Sequence, residues 1–185
     1  MIYLIRHGLD DERYVGGYSD ISLTEEGIRQ IKDIIPKIKS LPINKIYTSD
    51  IKRAIETTNI INNELNIQTI KDKNLRELNK GLLNGKRKNL LTKEEFDNLH
   101  TTDINERIST GEAMTDLYNR VKDLLSNNYF DDKDNSLLVT HRGFINMLYF
   151  ILNDIKLSMD KERFGVTHSS VHELDIKNNK IKKLF

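Results

Sequence analysis

The sequence predicts an α/β fold, a three-layer α/β/α sandwich around a mostly parallel central sheet. Three observations predict it. Short β-branched, apolar runs alternate with amphipathic helical stretches over most of the chain. The strongest of those runs are apolar on both faces, as strands buried in a parallel sheet are. Punctuation is sparse, with two prolines and nine glycines. No Pro-, Gly- or Ser-rich linker and no internal repeat divides the chain, so residues 1–185 are expected to form one domain.

The elements follow in order. Ile2-Tyr3-Leu4-Ile5 is a short buried strand. Gly8 to Ser22 lacks periodicity and contains Gly16-Gly17, which marks a loop. Thr24 suits an N-cap, with Glu25 and Glu26 complementing the helix dipole. Ile28, Ile31, Ile34, Ile35 and Ile38 then recur at helical spacing, and Pro36 predicts a kink or early end. Lys45 to Thr48 is a second strand. Asp50 is expected to cap a helix carrying Ile51, Ala54, Ile55, Thr58 and Ile61. Ile67 to Ile70 is a third strand, and Leu75 to Leu91 is irregular and basic. Lys93 to Leu99 and Glu112 to Leu125 read as helices, Ser136 to Thr140 as a buried strand and Phe144 to Leu152 as a helix. Ser170 to Ile176 and Lys180 to Leu184 flank Asn178-Asn179, a signal for a terminal hairpin.

Composition narrows the chemistry. Lys plus Arg total 29 and Asp plus Glu 28, a formal net charge of +1. That balance argues against a nucleic-acid partner, while leaving room for a local basic pocket. There are no cysteines, which removes thiolate nucleophiles, disulfides and Cys-based metal sites. The apolar start is too short for a signal peptide or membrane span, so a cytoplasmic protein without a membrane partner is expected.

Two of the five histidines occupy one kind of position. His7 follows the first strand, in Arg6-His7-Gly8. His141 follows the strand ending at Thr140, in His141-Arg142-Gly143. If those strands are parallel neighbours, both imidazoles emerge at one sheet edge, where ligands bind in such folds. Arg6 lies there as well. Arg53, in the first turn of the helix after Thr48, can point back to it. Two guanidiniums and two imidazoles suit a phosphoryl group. Arginine offers a planar fork matched to phosphate oxygens, and a neutral imidazole nitrogen is a competent nucleophile. A leaving alkoxide would need a proton, which a carboxyl group kept protonated by its surroundings could give.

These residues belong to an ordered set of motifs. Arg6-His7-Gly8 is followed by Gly17-Tyr18-Ser19-Asp20-Ile21-Ser22-Leu23-Thr24-Glu25-Glu26-Gly27 and by Tyr47-Thr48-Ser49-Asp50-Ile51-Lys52-Arg53-Ala54. Leu75-Arg76-Glu77-Leu78, Gly111-Glu112 and Val139-Thr140-His141-Arg142-Gly143 complete it. The sequence resembles the histidine phosphatase superfamily, with its phosphoglycerate mutase-like fold. The resemblance implies that His7 is the nucleophile and that Arg6, Arg53 and His141 bind the phosphoryl group. It implies that Glu77 is the proton donor, that the substrate is a small phosphorylated molecule, and that no metal or other cofactor takes part. Composition alone does not single out Glu77 among 28 acidic residues.

The chain departs from the family pattern at the rim. Leu9 and Asp10 stand where many members have Glu or Gln and then Thr or Ser. Arg13 stands where many have a phosphate-contacting Asn, and Ala113 where Ser commonly follows Gly-Glu. Arg13 is therefore expected to bind a substrate with more than one anionic group. Lys80, Lys86, Arg87, Lys88 and Lys93 read more simply as a solvated basic face than as a substrate-steering lid. His100, His168 and His172 read as structural, with His168 the closest to the expected pocket. The stretch from Glu77 to Gly111 is short and the chain stops at Phe185, whereas phosphoglycerate mutases of this family carry an insertion and a C-terminal tail. A phosphatase is thus expected, with a mutase or a phospho-ligand-binding module as alternatives. The sequence carries no oligomer signal.

Overall fold

The computed structural model describes every residue except Asp132. Six strands form one sheet: β1 (Ile2–Arg6), β2 (Lys45–Thr48), β3 (Gln68–Lys71), β4 (Ser136–Thr140), β5 (Val171–Asp175) and β6 (Lys180–Lys183). The order is β3-β2-β4-β1-β5-β6. β1 pairs in parallel with β4, and β2 with β4 and β3, while β5 runs antiparallel to both β1 and β6. The sheet is therefore mostly parallel, and β1 and β4 are neighbours with Arg6 registered against Thr140.

Five α-helices accompany it: α1 (Glu25–Lys39), α2 (Lys52–Leu65), α3 (Lys93–Leu99), α4 (Met114–Ser126) and α5 (Arg142–Leu152). The period of two along each strand sorts the core onto two faces. Ile2, Leu4, Tyr47 and Leu138 pack with Leu117 and Val121 of α4 and Phe144 and Leu148 of α5. Tyr3, Ile5, Ile46, Leu137 and Val139 pack with Ile31 and Ile38 of α1 and Ala54 and Ile61 of α2. Helix α5 is buried continuously from Phe144 to Phe150, so it is apolar nearly all round.

Two local expectations are corrected. Helix α1 runs through Pro36 to Lys39 rather than ending at it. Proline removes one intrahelical bond, but only three residues follow it, and fully buried Ile38 anchors that last turn. Asp50 does not cap α2; Ile51 holds the cap position without a side-chain bond. Both Asp50 carboxylate oxygens instead accept from Arg76, at 2.6 and 2.5 Å. That bidentate, charge-assisted pair outcompetes one cap hydrogen bond. The Leu75 to Leu91 stretch, expected to be irregular, holds two short 3₁₀ turns at Gly81–Leu83 and Lys88–Leu90, and a third, Lys73–Leu75, leads into it.

Candidate active site

The carboxyl ends of β1 and β4 deliver the two histidines to one place. The His7 and His141 ring centroids lie 5.1 Å apart, and both side chains are buried. His7 Nδ1 lies 2.7 Å from the Gly8 carbonyl oxygen. A carbonyl only accepts, so Nδ1 carries the proton and Nε2 keeps its lone pair. Arg53 Nε donates to that Nε2 at 3.0 Å. Burial, then Arg53, His141 and Arg6, hold the His7 imidazole well below the usual histidine range. The nucleophilic form is thus its resting form.

Arg53 is 2 % exposed and reaches back from the first turn of α2. Its other donors go to Ser19 Oγ at 3.2 Å and the Gly17 carbonyl at 2.8 Å, and Asp10 lies 3.5 Å from its Nε. Arg6, at the end of β1, donates to the Val166 carbonyl at 2.8 Å and to His168 Nε2 at 2.5 Å. Burial lowers Arg6 to about 10, first through desolvation and then through Arg142. His168 stays neutral beside it, lowered to about 3 by burial and by Arg6. His141 Nε2 pairs with Ser49 Oγ at 2.9 Å. Two buried nitrogens of this group have no hydrogen-bond partner: Arg6 Nε and His141 Nδ1. Unpaired buried donors are costly, and an anionic acceptor satisfies both.

Glu77 lies on the same cleft, accepting from the Leu78 N–H at 2.9 Å and the Gly143 N–H at 3.1 Å. Burial pushes its carboxyl up, but the two N–H donors, Arg53 and Lys80 outweigh that, and the net shift is down. The expected donor is therefore ionised at rest, not kept protonated. A Cβ on Gly143 would fall 2.1 Å from Glu77 Oε1, so only glycine leaves room for the carboxylate here.

Arg6, His7, Arg53 and Glu77 line a cleft of about 160 Å³, and the His141 ring lies next to His7. Arg13 is the one predicted site residue the structure does not bring there. Its side chain is 73 % exposed and is held by Asp11 at 2.6 Å. The local pair two residues away captures the guanidinium before it can reach a substrate. Sequence reasoning assigned no role to Gly17, Ser19, Ser49 or Asp10, although the quoted motifs contain the first three. His7, Asp10 and His168 also bring ligand-type atoms within 4.8 Å of one another. Arg53 and Arg6 already donate to two of them, so a metal ion would stand against two guanidiniums. The donor set suits an anion.

The model of the histidine phosphatase superfamily (branch 1) matches residues 2–184. The chain belongs to that superfamily. A probable phosphoglycerate mutase GpmB from Proteus mirabilis is 30% identical over 185 residues, covering 96% of this chain and 86% of that protein. The like-named protein of Escherichia coli O1:K1 is 36% identical over 126 residues, and that match spans 65% of this chain and 59% of the relative. Among solved structures, Bacillus stearothermophilus YhfR has a TM-score of 0.78 at 25% identity, covering 94% of this chain and 91% of its own. A putative alpha-ribazole-5'-P phosphatase from Escherichia coli reaches 0.80 at 19% identity, covering 99% and 94%. At that identity the likeness concerns the fold. These curated relatives thus carry a mutase name, and a structural neighbour of the same fold carries a phosphatase name.

Proposed function

We propose that this histidine phosphatase family member is a metal-independent phosphatase acting on a small phosphomonoester through a phosphohistidine on His7. One observation carries the reading: His7, its Nε2 unprotonated, is buried together with Arg6 and His141, whose Nε and Nδ1 are buried without a partner. A phosphoryl oxygen would accept from those donors and from Arg53, drawing the Arg53 N–H away from the lone pair it now occupies. Positioning and electrostatics then supply most of the catalysis.

In the first step the Nε2 lone pair forms the N–P bond as the ester P–O bond breaks. Glu77 gives its proton to the departing alkoxide. The incoming phosphoryl charge supplies that proton's cause: it offsets Arg53 and Lys80 and raises Glu77 toward the protonated form. In the second step Glu77 takes a proton from water as the water oxygen attacks phosphorus and the N–P bond breaks. The polar cleft wall, with Asp10, Glu12, Lys80, Ser158 and Asp160, favours water as acceptor. The names of the curated relatives support a second reading, phosphoryl transfer within a phosphoglycerate.

The test is hydrolysis of p-nitrophenyl phosphate in excess chelator, with mass spectrometry of the protein after a denaturing alkaline quench that preserves the N–P bond. Turnover with one phosphoryl group on His7 is expected. Turnover abolished by chelator sinks the metal-independent mechanism. Interconversion of 2- and 3-phosphoglycerate faster than phosphate release would replace phosphatase by mutase.

A further inference from the structure

Besides Arg6 and Arg53 the cleft is lined by Lys80, Lys88, Arg142 and Lys161. The acids Asp10, Glu12, Glu77 and Asp160 line it as well. Arg53 faces Asp10, and Arg142 is paired with Glu162. Lys80 and Lys161 line the same cleft as His7, and among the described residues neither forms an ion pair. They come from different segments of the chain. Lys80 follows Glu77 in the segment before α3, and Lys161 lies between α5 and β5. The Lys161 backbone is fixed there, its carbonyl accepting from Asn146 Nδ2 at 2.9 Å. Both side chains are partly buried, so their ammonium groups are poorly compensated by water. Each is also pressed by the other cations of the cleft. Burial, Lys161, Lys88 and Arg142 bring Lys80 down to about 8, with Glu77 opposing. Burial, Arg142 and Lys88 lower Lys161, with Glu77 and Glu162 opposing. Unpaired, partly buried like charges destabilise the empty cleft, and an anion between them relieves it.

We propose that Lys80 and Lys161 form a second anion subsite, so that the protein selects phosphomonoesters bearing a further carboxylate or phosphate group. This rests on the reading of the cleft as a phosphomonoester site. It gives the two-anion role expected of Arg13 to residues that reach the cleft. The ester phosphate lies at His7 between Arg6 and Arg53, and the second anion lies toward the Lys80 wall.

The experiment compares matched substrates. For each protein, kcat/KM is measured for 3-phosphoglycerate against glycerol 3-phosphate and for fructose 1,6-bisphosphate against fructose 6-phosphate. The first pair reports a carboxylate, the second a phosphate. At least one ratio is expected to exceed about tenfold in the native protein. Lys80→Gln and Lys161→Gln should each cut that ratio several-fold through KM, and Lys161→Arg should keep it. Ratios near one, or ratios that the Gln variants leave intact, overturn the subsite. The same ligand pairs are titrated calorimetrically into His7→Ala. A binding preference that persists without turnover in the native protein overturns the phosphatase reading and spares the subsite. Turnover without any preference does the reverse, and failure of every ligand to bind His7→Ala overturns the subsite.

Discussion

The floor and the walls of the cleft are built on different terms. The floor is Arg6, His7, Arg53 and His141, carried by strand ends and first helical turns and almost sealed from solvent. Apart from Arg6 Nε and His141 Nδ1, most polar atoms there are paired with a partner far along the chain, as in Arg53 with Gly17 and Ser19 and Arg6 with Val166. The walls include Lys80, Lys88, Lys161 and Asp160, carried by connecting segments. Rigid elements hold reacting groups within a narrow geometry, while loops can change without disturbing the core. The difference teaches that phosphoryl binding and the nucleophile belong to the scaffold, while selectivity and the Glu77 carboxylate belong to the connections.

The largest test of that division is His7→Ala, which should lower kcat on any phosphomonoester by about 10³-fold or more, because the covalent intermediate forms on its Nε2. Loss on one substrate only would break the comparison at its root. Glu77→Gln should cost about 10²-fold on an alkyl ester and much less on p-nitrophenyl phosphate, whose leaving group needs no proton. Gly143→Ala should mimic it in steady-state assays, since the new Cβ lies on the Glu77 oxygen. An active Gly143→Ala enzyme with the native leaving-group dependence would show that Glu77 is not the donor.

The walls should respond more gently. Lys80 is lowered to about 8, so it is charged below that pH and neutral above it. Lys161, Lys88, Arg142 and Glu77 face it throughout. Selectivity for the second anion should therefore fall severalfold between roughly pH 7 and pH 9, visible as a rise in KM for the two-anion substrate alone. A flat selectivity profile would remove Lys80 from the subsite. Smallest of all, Arg13→Ala should change kcat/KM by less than about twofold, its charge being solvated and spent on Asp11.

The same division decides what the sequence makes legible. His7 and His141 are visible from local cues, because each follows a buried apolar strand and the two strands pair in parallel. Arg53 is visible because a basic first turn runs against the dipole preference. Glu77 is visible only through the resemblance, since nothing local distinguishes its carboxylate. Its ionised resting state is not visible at all, because the Gly143 N–H comes from 66 residues away. The Asp50 cap fails for the same physical reason: its competitor, Arg76, lies 26 residues on. Arg13 errs the other way, since a neighbour two residues back holds it outside the cleft. Strand order is likewise a long-range property, and the insertion of β4 between β1 and β2 has no local signature.

The one strand that runs against the others has a mechanical consequence. Because β5 is antiparallel to β1, the chain entering it passes over the carboxyl end of β1, where Val166 and His168 meet Arg6. β5 is paired outward only to β6, the last strand of the sheet. Edge hairpins are among the segments that can open first, without global unfolding. Such opening would work as an unlatching: Arg6 would lose its anchors while both hydrophobic layers stayed packed. In rising denaturant, activity should then disappear before the helical signal does, and the C-terminal hairpin should exchange its amide protons in that same interval.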